Sequence, residues 1–244
     1  MARSNLARAP GDGRAPGSSL TAVEAAPASP EELLAHARRL AQPVERSADG
    51  RLVIEAATVL PTSDGPFDLR LFHFDGGSEE HLALSVGDVG SPEPLLVRVH
   101  SECLTSEVLG SLKCDCADQL SFALRAVQEA GRGMVVYLRQ EGRGIGLANK
   151  LRAYALQRLG ADTVDANRLL GLPDDARDYG AAAALFAHLG VRSVRLLTNN
   201  PAKSQALEAH GIAVAGMLPV LVACHPLAKA YLETKRERMA HRVP

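Results

Sequence analysis

The chain has 244 residues, 46% of them hydrophobic and 23% charged, and its 27 Lys and Arg against 28 Asp and Glu leave a formal net charge of -1. This is the composition of an ordinary globular protein with enough chain to bury a core, and it excludes full-length disorder, collagen-like repeats and coiled coil. With 4% aromatic residues and no Trp there is neither a whole-chain basic field nor a stacking platform for nucleic acid, and no apolar run reaches the ~20 residues of a membrane span.

Residues 1–28 are rich in Ala, Arg, Gly, Pro and Ser without a hydrophobic period, and they read as a disordered tail. They contain no apolar signal-like stretch, and three of the four cysteines crowd between 103 and 116, so a reducing, cytoplasmic compartment is expected. Ser29-Pro30-Glu31-Glu32 supplies an N-cap, a proline at the first helical position and acids at the positive end of the dipole. Leu33, Leu34, Ala37, Leu40 and Ala41 follow at helical spacing as far as Pro43. A short amphipathic helix and linker are expected over 29–50, the helix packing on the domain that follows.

From Leu52 the pattern turns to short, partly alternating segments, LVIEAATVLP, FDLRLFHFD, HLALSVGD and LLVRVH, separated by turn residues. Helices are predicted over 118–131, 145–160 and 179–190, each closed by a glycine suited to a left-handed cap. Between them MVVYLR and VRLLTNN read as strands buried on both faces. A last, charged helix is predicted over Leu227–Ala240. Strands first and helices later argue an α+β class: a mixed or antiparallel sheet with helices packed around it, in a single domain over 51–244.

Chemistry concentrates in the second half. Cys103, Cys114 and Cys116 form a C-x10-C-x-C arrangement. Thiolates are soft ligands that suit zinc, and three can share an ion if the chain folds back between the first and the pair. Three protein ligands leave a fourth tetrahedral position open, as in a catalytic zinc that lowers the pKa of its water towards ~7. Buried thiols acting as small hydrophobes are the alternative, but the segment is too polar for a core strand. A structural zinc would need a fourth ligand, which Cys224 or His100 could supply, although Cys224 in LVACHPL reads as a core cysteine.

Arg98, His100, Ser101 and Glu102 immediately precede the first cysteine. In RQEGRGIGLANKLRAYAL a glycine-rich loop leads into a helix, and its N–H groups with Arg139, Arg143 and Lys150 suit a phosphate chain or, more plainly, a tight turn. LPDDARDYG places Asp174, Asp175, Arg177 and Asp178 in one loop, as a surface salt-bridge cluster does. In LLTNNPAK the strand ends at Thr198-Asn199-Asn200, Pro201 opens a helix, and Lys203 stands in its first turn, where the dipole disfavours a cation unless an anion is shared.

RVHSECLTSEVLGSLKCDC, RQEGRGIGLANKLRAYALQ and LLTNNPAK, in this order, resemble GTP cyclohydrolase II, and the resemblance spans Val53 to Met239. It implies a zinc hydrolase that opens the imidazole ring of GTP at C8. The products are formate, pyrophosphate and 2,5-diamino-6-(ribosylamino)-4(3H)-pyrimidinone 5'-phosphate, in the first committed step of riboflavin synthesis. It further implies one zinc per subunit, Mg2+ with the triphosphate, and a homodimer. By the same resemblance Cys103, Cys114 and Cys116 are the zinc ligands and Tyr154 lies beside the imidazole. Arg98, Val99, His100, Ser101 and Glu102 match a substrate-binding stretch, Gln119 a guanine reader, and Glu141, Gly142 and Arg143 a base and phosphate loop. Thr163, Thr198 and Lys203 match further nucleotide contacts, and Asp175 and Arg177 the pair assigned as proton acceptor and nucleophile. A guanidinium, with a pKa above ~12, is chemically simpler as a phosphate clamp. Departures include Ala117 for the usual glycine, Lys113 for a common arginine, and Met239-Ala240-His241 for Met-Gly-His.

Overall fold

The computed structural model describes residues 29–222; the tail expected over 1–28, the helix expected over Leu227–Ala240 and Cys224 lie outside the described residues. The described residues divide into two units, the first ending at Ala41 and the second beginning at Gln42. In the first, α1 (Pro30–Leu40) begins as the sequence suggests. Ser29 Oγ accepts from the Glu32 N–H at 3.2 Å and the Glu32 carboxylate accepts from the Ser29 N–H at 2.7 Å, a reciprocal capping box.

The second unit is built on one eight-stranded sheet: β1 (Glu45–Arg46), β2 (Leu52–Thr62), β3 (Gly65–Phe74), β4 (His81–Val86), β5 (Leu95–Ser101), β6 (Gly133–Leu138), β7 (Ser193–Leu197) and β8 (Ala213–Leu218), in spatial order β1-β2-β3-β4-β6-β5-β7-β8. Neighbours from β1 through β4 to β6 are antiparallel; β5 runs parallel to β6 and β7, and β7 parallel to β8. The class is α+β with a mixed sheet, as expected. Helix α2 (Leu104–Glu107) and α3 (Cys116–Ala130) join β5 to β6; α4 (Gly146–Arg158), α5 (Thr163–Leu169) and α6 (Gly180–His188) separate β6 from β7; α7 (Pro201–Ala209) joins β7 to β8.

Residues of β5 alternate between two apolar layers, as the period of a strand dictates. Leu95, Val97 and Val99 join Val136, Leu185 and Phe186 in the larger cluster, whereas Leu96 joins Val135, Ala123 and Val127 in the smaller. Two residues on from Leu96, the same side of β5 carries Arg98 and His100, both buried. The polar end of an otherwise apolar strand therefore marks where the core stops and a site starts.

Some boundaries differ from expectation. The strand predicted over 194–200 ends at Leu197, because Asn200 turns to cap α7, its side chain accepting from the Ala202 N–H at 3.0 Å. Strands β1 and β8 and helices α2 and α5 carried no prediction: β1 and α2 are two and four residues long, and β8 reads AVAGML, poor in strand formers.

Candidate active site

A cleft lies at the carboxyl ends of β5, β6 and β7, the usual ligand position beside parallel strands. Cys103 leaves β5, and Cys114 and Cys116 lead into α3. The intervening segment folds back, the Ser111 N–H donating to Thr105 O at 2.8 Å and the Ala117 N–H to Ser106 Oγ at 3.2 Å. The three Sγ atoms fall within 4.8 Å of one another, with Cys103 and Cys114 3.6 Å apart. Ligands about 2.3 Å from a tetrahedral zinc stand about 3.8 Å apart, so the trio fits that ion. Bonds shared with the Cys114 and Cys116 thiols, and the Lys150 ammonium, hold the Cys103 thiol well below its usual range; the same bond to Cys103 raises Cys114.

His100, considered above as a fourth ligand, turns elsewhere: its Nε2 lies 2.7 Å from Glu107 Oε1, while the Tyr137 hydroxyl donates to Glu107 Oε2 at 2.6 Å. Burial lowers the imidazole to about 4, so at neutral pH it is uncharged and donates. Burial pushes Glu107 up, but the hydrogen bonds from His100 and Tyr137 prevail and its carboxyl lies below the usual range. Arg98 donates to Leu197 O at 3.0 Å and to Gln119 Oε1 at 2.6 Å. The Gln119 amide is oriented from its other end by Asp115.

The loop after β6 is shaped for close approach. Gly142 and Arg143 both take left-handed backbone, at φ 62 and 63. The Arg143 carbonyl accepts from the Ala176 N–H at 2.9 Å, which ties this loop to the one carrying Asp175 and Arg177. Arg177 grips both oxygens of Asp175 with one guanidinium edge, Nε lying 2.8 Å from Oδ1 and Nη2 against Oδ2. Burial pushes Asp175 up, but this pairing outweighs it and the carboxylate stays below its ordinary range. Both oxygens of Glu141 are taken, by the Leu104 N–H at 2.7 Å and by the Gly142 N–H and Lys150 at 2.7 Å each. The expected surface cluster over 174–178 is thus divided: Asp174 pairs with Arg168 at the surface, Asp175 with Arg177 at the cleft, and Asp178 accepts from the Gly180 N–H.

Lys203 is buried on α7, its ammonium 2.7 Å from Val99 O. Ser101 accepts from Gln140 at 2.9 Å and Glu102 from Arg139 at 2.9 Å. Tyr154, on α4, has its ring 4.7 Å from the Lys113 ammonium, and burial raises its hydroxyl to about 12. Arg98 Nε and Thr163 Oγ1 are buried without a partner among the described residues, as groups reserved for a polar ligand are.

Nearly all the sequence-derived candidates therefore line one cleft: Arg98, His100, Ser101, Glu102, Gln119, Glu141, Gly142, Arg143, Tyr154, Thr163, Arg177, Thr198 and Lys203, with the three cysteines. Val99 and Asp175 do not: Val99 sits in the core and offers its carbonyl, and Asp175 acts on Arg177. Of the three cations assigned to the glycine-rich loop, Arg143 and Lys150 line the cleft, Lys150 with its ammonium on Cys103, and Arg139 faces a neighbouring one. Glu107, Tyr137 and Asn167 escaped the sequence reading, since their partners lie on other elements; the polar Glu107 and Tyr137 near β5 and β6 were the available signal.

The model of the family described as GTP cyclohydrolase II matches residues 53–219. The chain is 54% identical over 187 residues to a GTP cyclohydrolase-2 of Acinetobacter baumannii, covering 76% of this chain and 94% of that one. It is 53% identical over 186 residues to a GTP cyclohydrolase-2 of Neisseria meningitidis, with the same coverage of 76% and 94%. It is also 53% identical over 211 residues to the riboflavin biosynthesis protein RibBA of Salinispora arenicola, covering 86% of this chain but 48% of that protein, about half its length.

Proposed function

Because the chain belongs to the GTP cyclohydrolase II family, we propose that it hydrolyses GTP to 2,5-diamino-6-(ribosylamino)-4(3H)-pyrimidinone 5'-phosphate, formate and pyrophosphate. This is the first committed step of riboflavin synthesis. The observation that carries the reading is the convergence, in one cleft, of the thiol trio with Arg98, Arg143, Arg177 and Lys203. Zinc held by Cys103, Cys114 and Cys116 would supply a Lewis acid and a source of hydroxide at neutral pH.

The chain's own groups divide the remaining work. Tyr154, with its hydroxyl at about 12, stays protonated at neutral pH and can donate to the imidazole portion of the base beside the thiols. Gln119, oriented by Arg98 and Asp115, presents its remaining amide capacity to guanine. Glu141 has both oxygens engaged and holds the loop, so that loop's backbone meets the nucleotide. Arg143, Arg177 and Lys203, with Thr163 and Thr198, take the phosphate oxygens of the triphosphate, which would bring Mg2+ with it. Arg177, always charged and aimed by Asp175, clamps the α-phosphate while pyrophosphate leaves. Arg98, His100, Ser101 and Glu102 form the wall beside the thiols. One zinc per subunit, a homodimer and a cytoplasmic location complete the reading.

Cys114→Ser is expected to lose stoichiometric zinc and formate release together. Formate released at the wild-type rate by a zinc-free variant would overturn the catalytic assignment of the thiol trio.

A further inference from the structure

Lys150 projects from α4 and reaches Cys103, 47 residues away in sequence, with its ammonium 3.1 Å from Sγ. The same ammonium lies 2.7 Å from Glu141 Oε1, and Glu141 Oε2 accepts from the N–H of Leu104, the residue after Cys103. Both side chains are largely withdrawn from solvent, 11% and 9% exposed. One lysine–glutamate pair thus grips a ligand sulfur, the main chain beside that sulfur and the loop after β6.

We propose that Lys150 is a positioning residue for the metal centre, setting how much charge the Cys103 thiolate donates to the ion, and that it is no ligand of the nucleotide's phosphates. An ammonium has three N–H donors. Here one is given to sulfur and one to Glu141, and the Tyr154 ring stands 5.9 Å from the nitrogen. Three thiolates on a divalent ion leave one surplus negative charge, which a cation at 3.1 Å offsets in a water-poor setting. A charged hydrogen bond to sulfur withdraws electron density from it, as groups behind metal ligands do elsewhere. The inference rests on the thiol trio as a metal site, and its primary readout does not involve GTP.

The test is Lys150→Met with Co2+ in place of zinc, following the thiolate-to-cobalt charge-transfer band. The band is expected to move to longer wavelength in Lys150→Met and to return towards the wild-type position in Lys150→Arg. In the zinc enzymes, kcat for formate release is expected to fall by about tenfold or more in Lys150→Met with KM for GTP unchanged. An unmoved band overturns the proposal, as does an increase in KM at constant kcat, which would make Lys150 a phosphate ligand. Lys150→Gln carries the same comparison if the methionine variant does not fold. A wild-type protein that binds cobalt yet leaves GTP intact would defeat the proposed function, while the spectra would still decide the role of Lys150.

Discussion

At Gly144 the main chain runs so close to the neighbouring loop that an added Cβ would stand 2.6 Å from Ala176 O, and its φ of 85 already disfavours a side chain. Gly144→Ala is expected to push the loop carrying Arg177 out of place and lower kcat/KM for GTP by on the order of tenfold to 100-fold, with zinc content unchanged. His100 makes a different prediction. Its imidazole titrates near 4 when folded, against about 6.5 in an unfolded chain. The unfolded state therefore binds the extra proton as pH falls between these values, and stability drops, by about 2 kcal/mol from pH 7 to pH 5. Urea denaturation at the two pH values should show that drop reduced by a similar amount in His100→Gln. The cysteines and the arginines of the cleft were legible because their chemistry is written in residue type and spacing. The links from Lys150 to Cys103 and from His100 through Glu107 to Tyr137 were not, because each is made by side chains brought together from separate elements.

Among the elements, the segment after β7 couples fold and site most tightly. Asn199 holds β8's outgoing chain with two bonds, to Val220 O at 2.8 Å and from the Val220 N–H at 2.9 Å, while Asn200 caps α7. Replacing Asn199 by Ala leaves two backbone groups without that partner, and a loss of about 2 kcal/mol is expected, against about 1 kcal/mol for Asn200→Ala. Equilibrium unfolding of the two variants checks the order. The strands from 52 to 100 were readable from alternation and turn residues, and α3, α4 and α6 from helical periodicity and terminal glycines. What periodicity does not carry is neighbour choice: β5 lies between β6 and β7, and β4 meets β6, pairings set by long crossings that local pattern cannot express.

Across the molecule, a net charge of -1 contrasts with a cleft that gathers Arg98, Arg143, Arg177 and Lys203. Such a local field attracts a polyanion and is screened by salt, so KM for GTP is expected to rise with ionic strength while zinc content stays constant. A KM indifferent to salt would contradict a triphosphate seated on these cations. The measurement that bears most directly on the whole account is the product balance of the purified, zinc-loaded protein with GTP and Mg2+, followed by mass spectrometry with formate and pyrophosphate assays. Equal amounts of formate, pyrophosphate and the diaminopyrimidine phosphate are predicted. Pyrophosphate accompanied by a product that keeps its formyl group, or GTP left untouched by zinc-loaded protein, would contradict it.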